Sequence, residues 1–147
     1  MILYLDASAI VKCYIDEKGS SEVLEAISLA EMVGTGLISR CEVAAAMAKA
    51  VRTKTLTAEE AFSGLCLFRE DWSDMVSVQI TNALVVRAEG LAWEQSLRGY
   101  DSVHLAAALT WQEALGRAVT LSTYDRRLWT AAGRTGLILH PPGLPAR

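Results

Sequence analysis

No apolar run in this 147-residue chain is long enough to cross a bilayer. The first apolar residues are interrupted at Asp6 and no basic region precedes them, so no secretory signal is expected. A cytoplasmic location, with no membrane contact, is the resulting expectation. Cysteine is scarce: Cys13, Cys41 and Cys66 are odd in number, far apart, and form no C-x-x-C. That argues against both a disulfide framework and a zinc site, and leaves them as small buried hydrophobes. The two histidines, His104 and His140, accompany no nucleophile motif, so no Ser-His-Asp arrangement is legible. Gly34-x-Gly36 lacks the remaining spacing, and the Lys-Ser/Thr, of a phosphate-binding loop. Positive charge is in deficit: 14 Lys and Arg against 17 Asp and Glu give a net charge of −3. The chain as a whole is therefore not a basic nucleic-acid binder. An enzyme acting on nucleic acid is still allowed, because an acidic metal site itself lowers the total.

What is present suits one compact domain with ample core: 52% hydrophobic and 21% charged residues. Residues 1–140 read as that domain, and the Pro/Gly-containing residues 141–147 as an irregular tail. Residues 2–5 read as a buried strand running straight into Asp6. A helical pattern follows from Ser8, with Gly19 at its end and Ser20 or Ser21 capping the next helix. Val23, Leu24, Ile27, Leu29 and Met32 are the expected apolar face of that second helix. Gly34 and Gly36 read as a turn into a strand at 35–38. The alanine-rich run from Ser39 is a helix, and Ser39-x-x-Glu42 has the letters of a capping box. Thr57-x-x-Glu60 has them too, and starts a helix with Ala61, Phe62, Leu65, Leu67 and Phe68 as candidate buried residues. A strand is expected at 76–80. A helix capped by Thr81 or Asn82 follows, as far as Leu97 and broken by Gly99. An alanine-rich helix runs from about Tyr100 to Leu115, stopped by Gly116. Then come a strand at 118–121, a short helix after Asp125 and a last strand at 137–139. Trp72, Trp93, Trp111 and Trp129 fall on or beside helical patterns and are expected in core or interface. Strands separated by one or two helices predict an α/β fold: a central parallel sheet of four to five strands with helices on both faces.

Four carboxylates then occupy comparable places. Asp6 ends the first strand, Glu42 lies in the first helical turn after the second, Asp101 begins a helix, and Asp125 begins the helix after the fourth strand. Ligands of open α/β sheets bind at the carboxyl edge of the strands, which Asp6, Glu42 and Asp125 share and which Asp101 joins if the N-terminus of its helix faces that rim. Each has an ordinary alternative: Asp6 as a residue that simply ends a strand, Asp101 and Asp125 as first-turn or N-cap acids; for Glu42 the capping box competes directly with a chemical role. Taken together, carboxylates at one point require a cation, and oxygen-only ligands select Mg²⁺ or Mn²⁺. Such a site suits phosphodiester hydrolysis by a metal-activated water.

Three runs carry a family resemblance: Asp6-Ala7-Ser8-Ala9-Ile10-Val11-Lys12, then Arg98-Gly99-Tyr100-Asp101-Ser102-Val103-His104-Leu105-Ala106-Ala107-Ala108, then Thr123-Tyr124-Asp125-Arg126-Arg127-Leu128. With Glu42 on its alanine-rich helix, the chain resembles a PIN-domain ribonuclease, in particular the VapC-like toxins of type II toxin–antitoxin modules. The resemblance implies a PIN-like three-layer fold and a Mg²⁺- or Mn²⁺-dependent endoribonuclease. It implies Asp6, Glu42, Asp101 and Asp125 as catalytic metal ligands, with Ser8 and Thr123 as supporting hydroxyls. It further implies an RNA substrate, a cognate antitoxin and a homodimer. Arg126, Arg127, Arg40 and Lys12 are candidates for RNA contact. Two other readings remain: a catalytically inactive PIN-like binding module, and an aspartate-based phosphatase or receiver-like domain. The phosphatase would require an aspartate where Ser8 stands. His104 is expected to pack or hydrogen-bond, not to ligate.

Overall fold

In the computed structural model, which describes residues 1–146, five parallel strands form one sheet in the order β3-β2-β1-β4-β5. The central strand is β1 (Ile2–Leu5), all four residues of which are buried. It pairs with β2 (Met32–Gly36) on one side and β4 (Val119–Ser122) on the other. β3 (Val76–Val78) and β5 (Ile138–His140) are the edges. Strand side chains alternate between faces, and β1 shows the division. Leu3 and Leu5 point into a core built with Ala9, Ile10, Val23, Val43, Met47 and Phe68. Ile2 and Tyr4 point into the other, with Leu105, Trp111, Val119 and Leu121. An apolar run covered on both faces is what a parallel sheet requires.

The first layer of helices is α1 (Ala7–Val11), α2 (Ser20–Leu29), α3 (Ser39–Arg52) and α4 (Ala58–Asp71). α5 (Asn82–Gln95) and α6 (Gly99–Leu115) cover the opposite face, followed by α7 (Arg126–Ala132). Ala106, Ala107 and Ala108 of α6 are fully buried, and such small side chains let this helix lie close to its neighbours. The predicted layers and all five strands are present.

Several local expectations are corrected. The first helix stops at Val11, and Gly19, at φ +94°, opens α2 as its N-cap. Ser20 caps nothing; its hydroxyl ties the preceding loop together, donating to Ile15 O and accepting from Glu17 N. Gly34 and Gly36 lie inside β2, where a turn was expected. Their need is close approach: a Cβ on Gly34 would sit 2.7 Å from the Trp111 ring, and one on Gly36 2.8 Å from Tyr4 Oη. Leu24, Leu29, Phe62 and Leu67 are exposed, because α2 and α4 each bury a narrower stripe than their apolar letters suggest. α5 ends before Gly99, at Ser96, which takes a left-handed φ of +53°. Trp111 is core, but Trp93 is 90% exposed. Cys41 is exposed, and Cys13 and Cys66 are half-buried. The Thr57–Glu60 capping box forms with both reciprocal bonds. The one read at Ser39–Glu42 does not: Ile38 is the N-cap of α3, and the Ser39 hydroxyl bonds Thr35 Oγ1 instead. Among the described residues, no helix is long and apolar enough to cross a membrane.

Candidate active site

The carboxyl ends of β1 and β4 stand side by side, with Asp6 N–H donating to Ser122 O. The chain beyond each strand turns directly into a helix, and the turn residue is an aspartate in both cases. Asp6 is the N-cap of α1, and Asp125 the N-cap of α7. Both lie in a cleft of about 840 Å³, whose walls also include Ser8, Glu42, Arg98, Asp101 and His104. All four predicted acids therefore share one cavity at the carboxyl edge of the sheet.

Asp6 is 3% exposed and its two oxygens are held by three donors. Oδ1 accepts from Ser8 Oγ at 2.7 Å and from Ala9 N at 2.9 Å, and Oδ2 accepts from Thr123 Oγ1 at 2.5 Å. The two hydroxyls are themselves fixed, Ser8 Oγ accepting from Tyr124 N and Thr123 Oγ1 from Asp125 N. They thus stitch the loop after β1 to the loop after β4. Burial pushes the Asp6 carboxyl above its usual range, while the hydrogen bonds from Thr123, Ser8 and Ala9 pull against that.

Glu42 projects from the first turn of α3, where Oε1 meets His104 Nε2 at 2.6 Å. Its carboxylate is not folded back onto Ser39, so the competing capping role is absent. Asp101 and Asp125 share an arginine. Arg98 Nε donates to Asp101 Oδ2 at 3.1 Å, and Nη2 to Asp125 Oδ2 at 2.5 Å. Asp125 Oδ1 meanwhile caps α7, accepting from Arg127 N and Leu128 N. Burial, then the negative charge of Asp125, raises the Asp101 carboxyl; Arg98 opposes the rise and Asp6 adds to it.

This donor set fits a hard divalent cation. It is made of oxygens only, contains no thiol, and its acids are close enough to disfavour one another's ionisation, a strain that a cation relieves. Among the described residues, no three metal-ligating side chains already converge on a point. Their oxygens are engaged by Ser8, Thr123, His104 and Arg98.

The predicted RNA-contacting cations are placed less uniformly. Lys12 bonds Glu17 and the Lys18 carbonyl and lies over the Tyr124 ring. Arg40 stacks on Trp72, and Arg126 donates to Pro145 O. Arg127 is exposed. The arginine that does line the cleft, Arg98, was not singled out from the sequence, although its i,i+3 spacing to Asp101 was a usable signal.

The model of the PIN-domain family matches residues 3–133 of this chain. The chain is 36% identical, over 97% of both sequences, to a protein from Mycobacterium tuberculosis named ribonuclease VapC45. Among solved structures it is similar to a toxin–antitoxin complex from Klebsiella pneumoniae (TM-score 0.67, 19% identity, 96% of this chain and 98% of that one). It is also similar to VapBC2 from Rickettsia felis, bound to a promoter DNA fragment (TM-score 0.64, 17% identity, 95% and 98% of the two chains). The chain belongs to the PIN-domain family, and the three-layer α/β sheet described above is the PIN-like fold.

Proposed function

We propose that this protein is a Mg²⁺- or Mn²⁺-dependent endoribonuclease and the toxin of a toxin–antitoxin pair, active in the cytoplasm as a homodimer. Residues 1–140 are the catalytic domain and 141–147 a tail. The observation that carries the reading is the convergence of Asp6, Glu42, Asp101 and Asp125 on one cleft. The ribonuclease name of the Mycobacterium relative supports the activity, and the toxin–antitoxin neighbours support the partner.

In this reading Asp6, Glu42 and Asp101 hold the cation, and Asp125 holds it from further out or binds a second. When bound, the ion lowers the pKa of water and offsets charge on the phosphoryl oxygens. Ser8 and Thr123 keep Asp6 fixed, so its oxygens need little rearrangement on binding. Arg98 pairs with both Asp101 and Asp125, and once released by a cation it is free to meet an RNA phosphate. The first turn of α6, which carries Asp101, presents backbone N–H groups and the positive end of its dipole to the same place. No covalent protein intermediate is needed, because the nucleophile is water.

The test is cleavage of structured RNA by the purified protein with Mg²⁺ or Mn²⁺, with EDTA, and as Asp6→Asn and Asp101→Asn. EDTA and either substitution should each abolish cleavage, by about 1,000-fold or more, since several kcal/mol of transition-state stabilisation is lost. Cleavage surviving both substitutions removes the metal-site assignment. Growth arrest on expression, relieved by the product of a neighbouring gene, tests the toxin assignment separately.

A further inference from the structure

One buried ionisable side chain in the cleft wall has no part in the scheme above. His104 is 1% exposed, sits one helical turn after Asp101, and has both ring nitrogens engaged. Nε2 meets Glu42 Oε1 at 2.6 Å, and Nδ1 meets Tyr4 Oη at 2.9 Å. Tyr4 is itself fully buried in the central strand, edge-on to the imidazole at 5.9 Å between ring centroids. Its hydroxyl rests against Gly36, where any Cβ would come within 2.8 Å of it. Three elements, β1, α6 and α3, are therefore linked in a line that ends on one carboxylate of the site.

The donors and acceptors along that line fix its direction. An ionised carboxylate only accepts hydrogen bonds, so Nε2 must carry the proton that points at Glu42. In a neutral imidazole the other nitrogen is then an acceptor, and Tyr4 O–H supplies the donor. Burial holds the Tyr4 phenol well above its ordinary range, which keeps that donor in place. The alternative tautomer would set an Nδ1–H against a phenol hydroxyl and leave Nε2 and Glu42 as two facing acceptors.

We propose that His104, held by Tyr4, is a positioning residue that fixes the carboxylate of Glu42 in the cleft. It touches neither substrate nor metal and acts only through Glu42. The inference rests on the reading of Glu42 as a metal ligand. Hydrogen-bonded partners of ligating groups typically change metal affinity by about 10- to 100-fold when removed.

Two measurements test it. In the metal-free wild type, long-range ¹H–¹⁵N correlation of the His104 ring at neutral pH should show a protonated Nε2 and a bare Nδ1. An Nδ1–H tautomer, which presents Glu42 with no donor, overturns the proposal. Tyr4→Phe removes the donor to Nδ1 while Glu42 still requires the Nε2 proton, so the tautomer should persist and the Nδ1 resonance should shift with the loss of its hydrogen bond; an unchanged Nδ1 resonance shows that Tyr4 does not hold the ring. Mn²⁺ titration by calorimetry then compares three folded variants. His104→Leu should bind about 10- to 100-fold more weakly. His104→Gln, which can keep an N–H near the place of Nε2, should recover most of that loss, and Tyr4→Phe should fall between. Wild-type affinity in His104→Leu, or no advantage of Gln over Leu, overturns the proposal. Should His104→Leu fail to fold, the Gln and Phe variants with the tautomer measurement decide. A wild type that binds no Mn²⁺ would instead refute the metal reading, while the tautomer experiment, done without metal, still decides the relay.

Discussion

The four acids of the cleft fall into two pairs that are held in opposite ways. Asp6 and Glu42 are fixed by donors that belong to the packing of the fold: two hydroxyls and a backbone N–H for the first, the buried His104 ring for the second. Asp101 Oδ2 and Asp125 Oδ2 are held by a single arginine that is 65% exposed, while the other oxygen of Asp125 caps α7. The inner pair is thus set by the same packing that makes the fold, and cannot move without disturbing the central strand. The outer pair is balanced by a charge that water and salt can compete for. The difference separates a preorganised half of the site from an exchangeable half.

Breaking the inner half should have the larger effect. Thr123 is fully buried, donates to Asp6 Oδ2 and accepts from Asp125 N. Thr123→Val keeps the shape and removes both bonds, leaving a buried carboxylate oxygen and an amide short of partners. Such losses cost about 1–3 kcal/mol. The midpoint of urea unfolding should fall by the corresponding amount. A loss below about 0.5 kcal/mol would mean that the two loops are not stitched through this hydroxyl.

The outer half should respond in the other direction. Arg98→Gln removes two ion pairs made by one exposed side chain, so metal-free stability should change by no more than about 1 kcal/mol. It also removes a positive charge that competes with a cation for Asp101 and Asp125, so Mg²⁺ should bind a few-fold more tightly, on the order of 1 kcal/mol. Calorimetric titration measures this directly. Unchanged or weaker Mg²⁺ binding would show that Arg98 supports the occupied site and does not compete for it.

The same division explains what could be read from the sequence. The inner strand was legible because Ile2 to Leu5 is a continuous apolar run and Asp6 interrupts it. Ser8 and Thr123 were marked as supporting hydroxyls by the family resemblance alone, and the structure puts both on Asp6. Glu42 was ambiguous, since a capping box and a cleft residue share the letters Ser-x-x-Glu. Only the partner of Ser39, which is Thr35 four residues earlier on β2, resolves it. The bonds to His104 from Tyr4 and Glu42 span 100 and 62 residues, and no local pattern announces contacts of that range. The misread glycines have the same origin. Gly34 and Gly36 are letters of a turn, but their role depends on Trp111 and Tyr4 lying against β2. Tertiary contact, not local preference, decides them.

The smallest expected effect is on the pH dependence of stability, and its sign distinguishes crowding among the acids from ordinary pairing. The Asp101 carboxyl is raised above its usual value of 3.8, first by burial and then by Asp125, despite Arg98. Between 3.8 and the raised value the folded protein binds more protons at this residue than the unfolded chain does. Stability therefore falls as pH rises through that window. The contribution is fully present below the unfolded value and is lost once pH passes the folded one. Asp101→Asn has no such group, so the difference in unfolding free energy between wild type and variant, measured in EDTA, should decline across the window and then level off. Saturating Mg²⁺ should reverse the slope, because a bound cation favours the ionised carboxylate and lowers its folded value. A difference that rises with pH in EDTA would mean that Arg98 outweighs burial and the neighbouring acids. Asp101 and Asp125 would then be settled partners of Arg98, with little drive to exchange it for a metal.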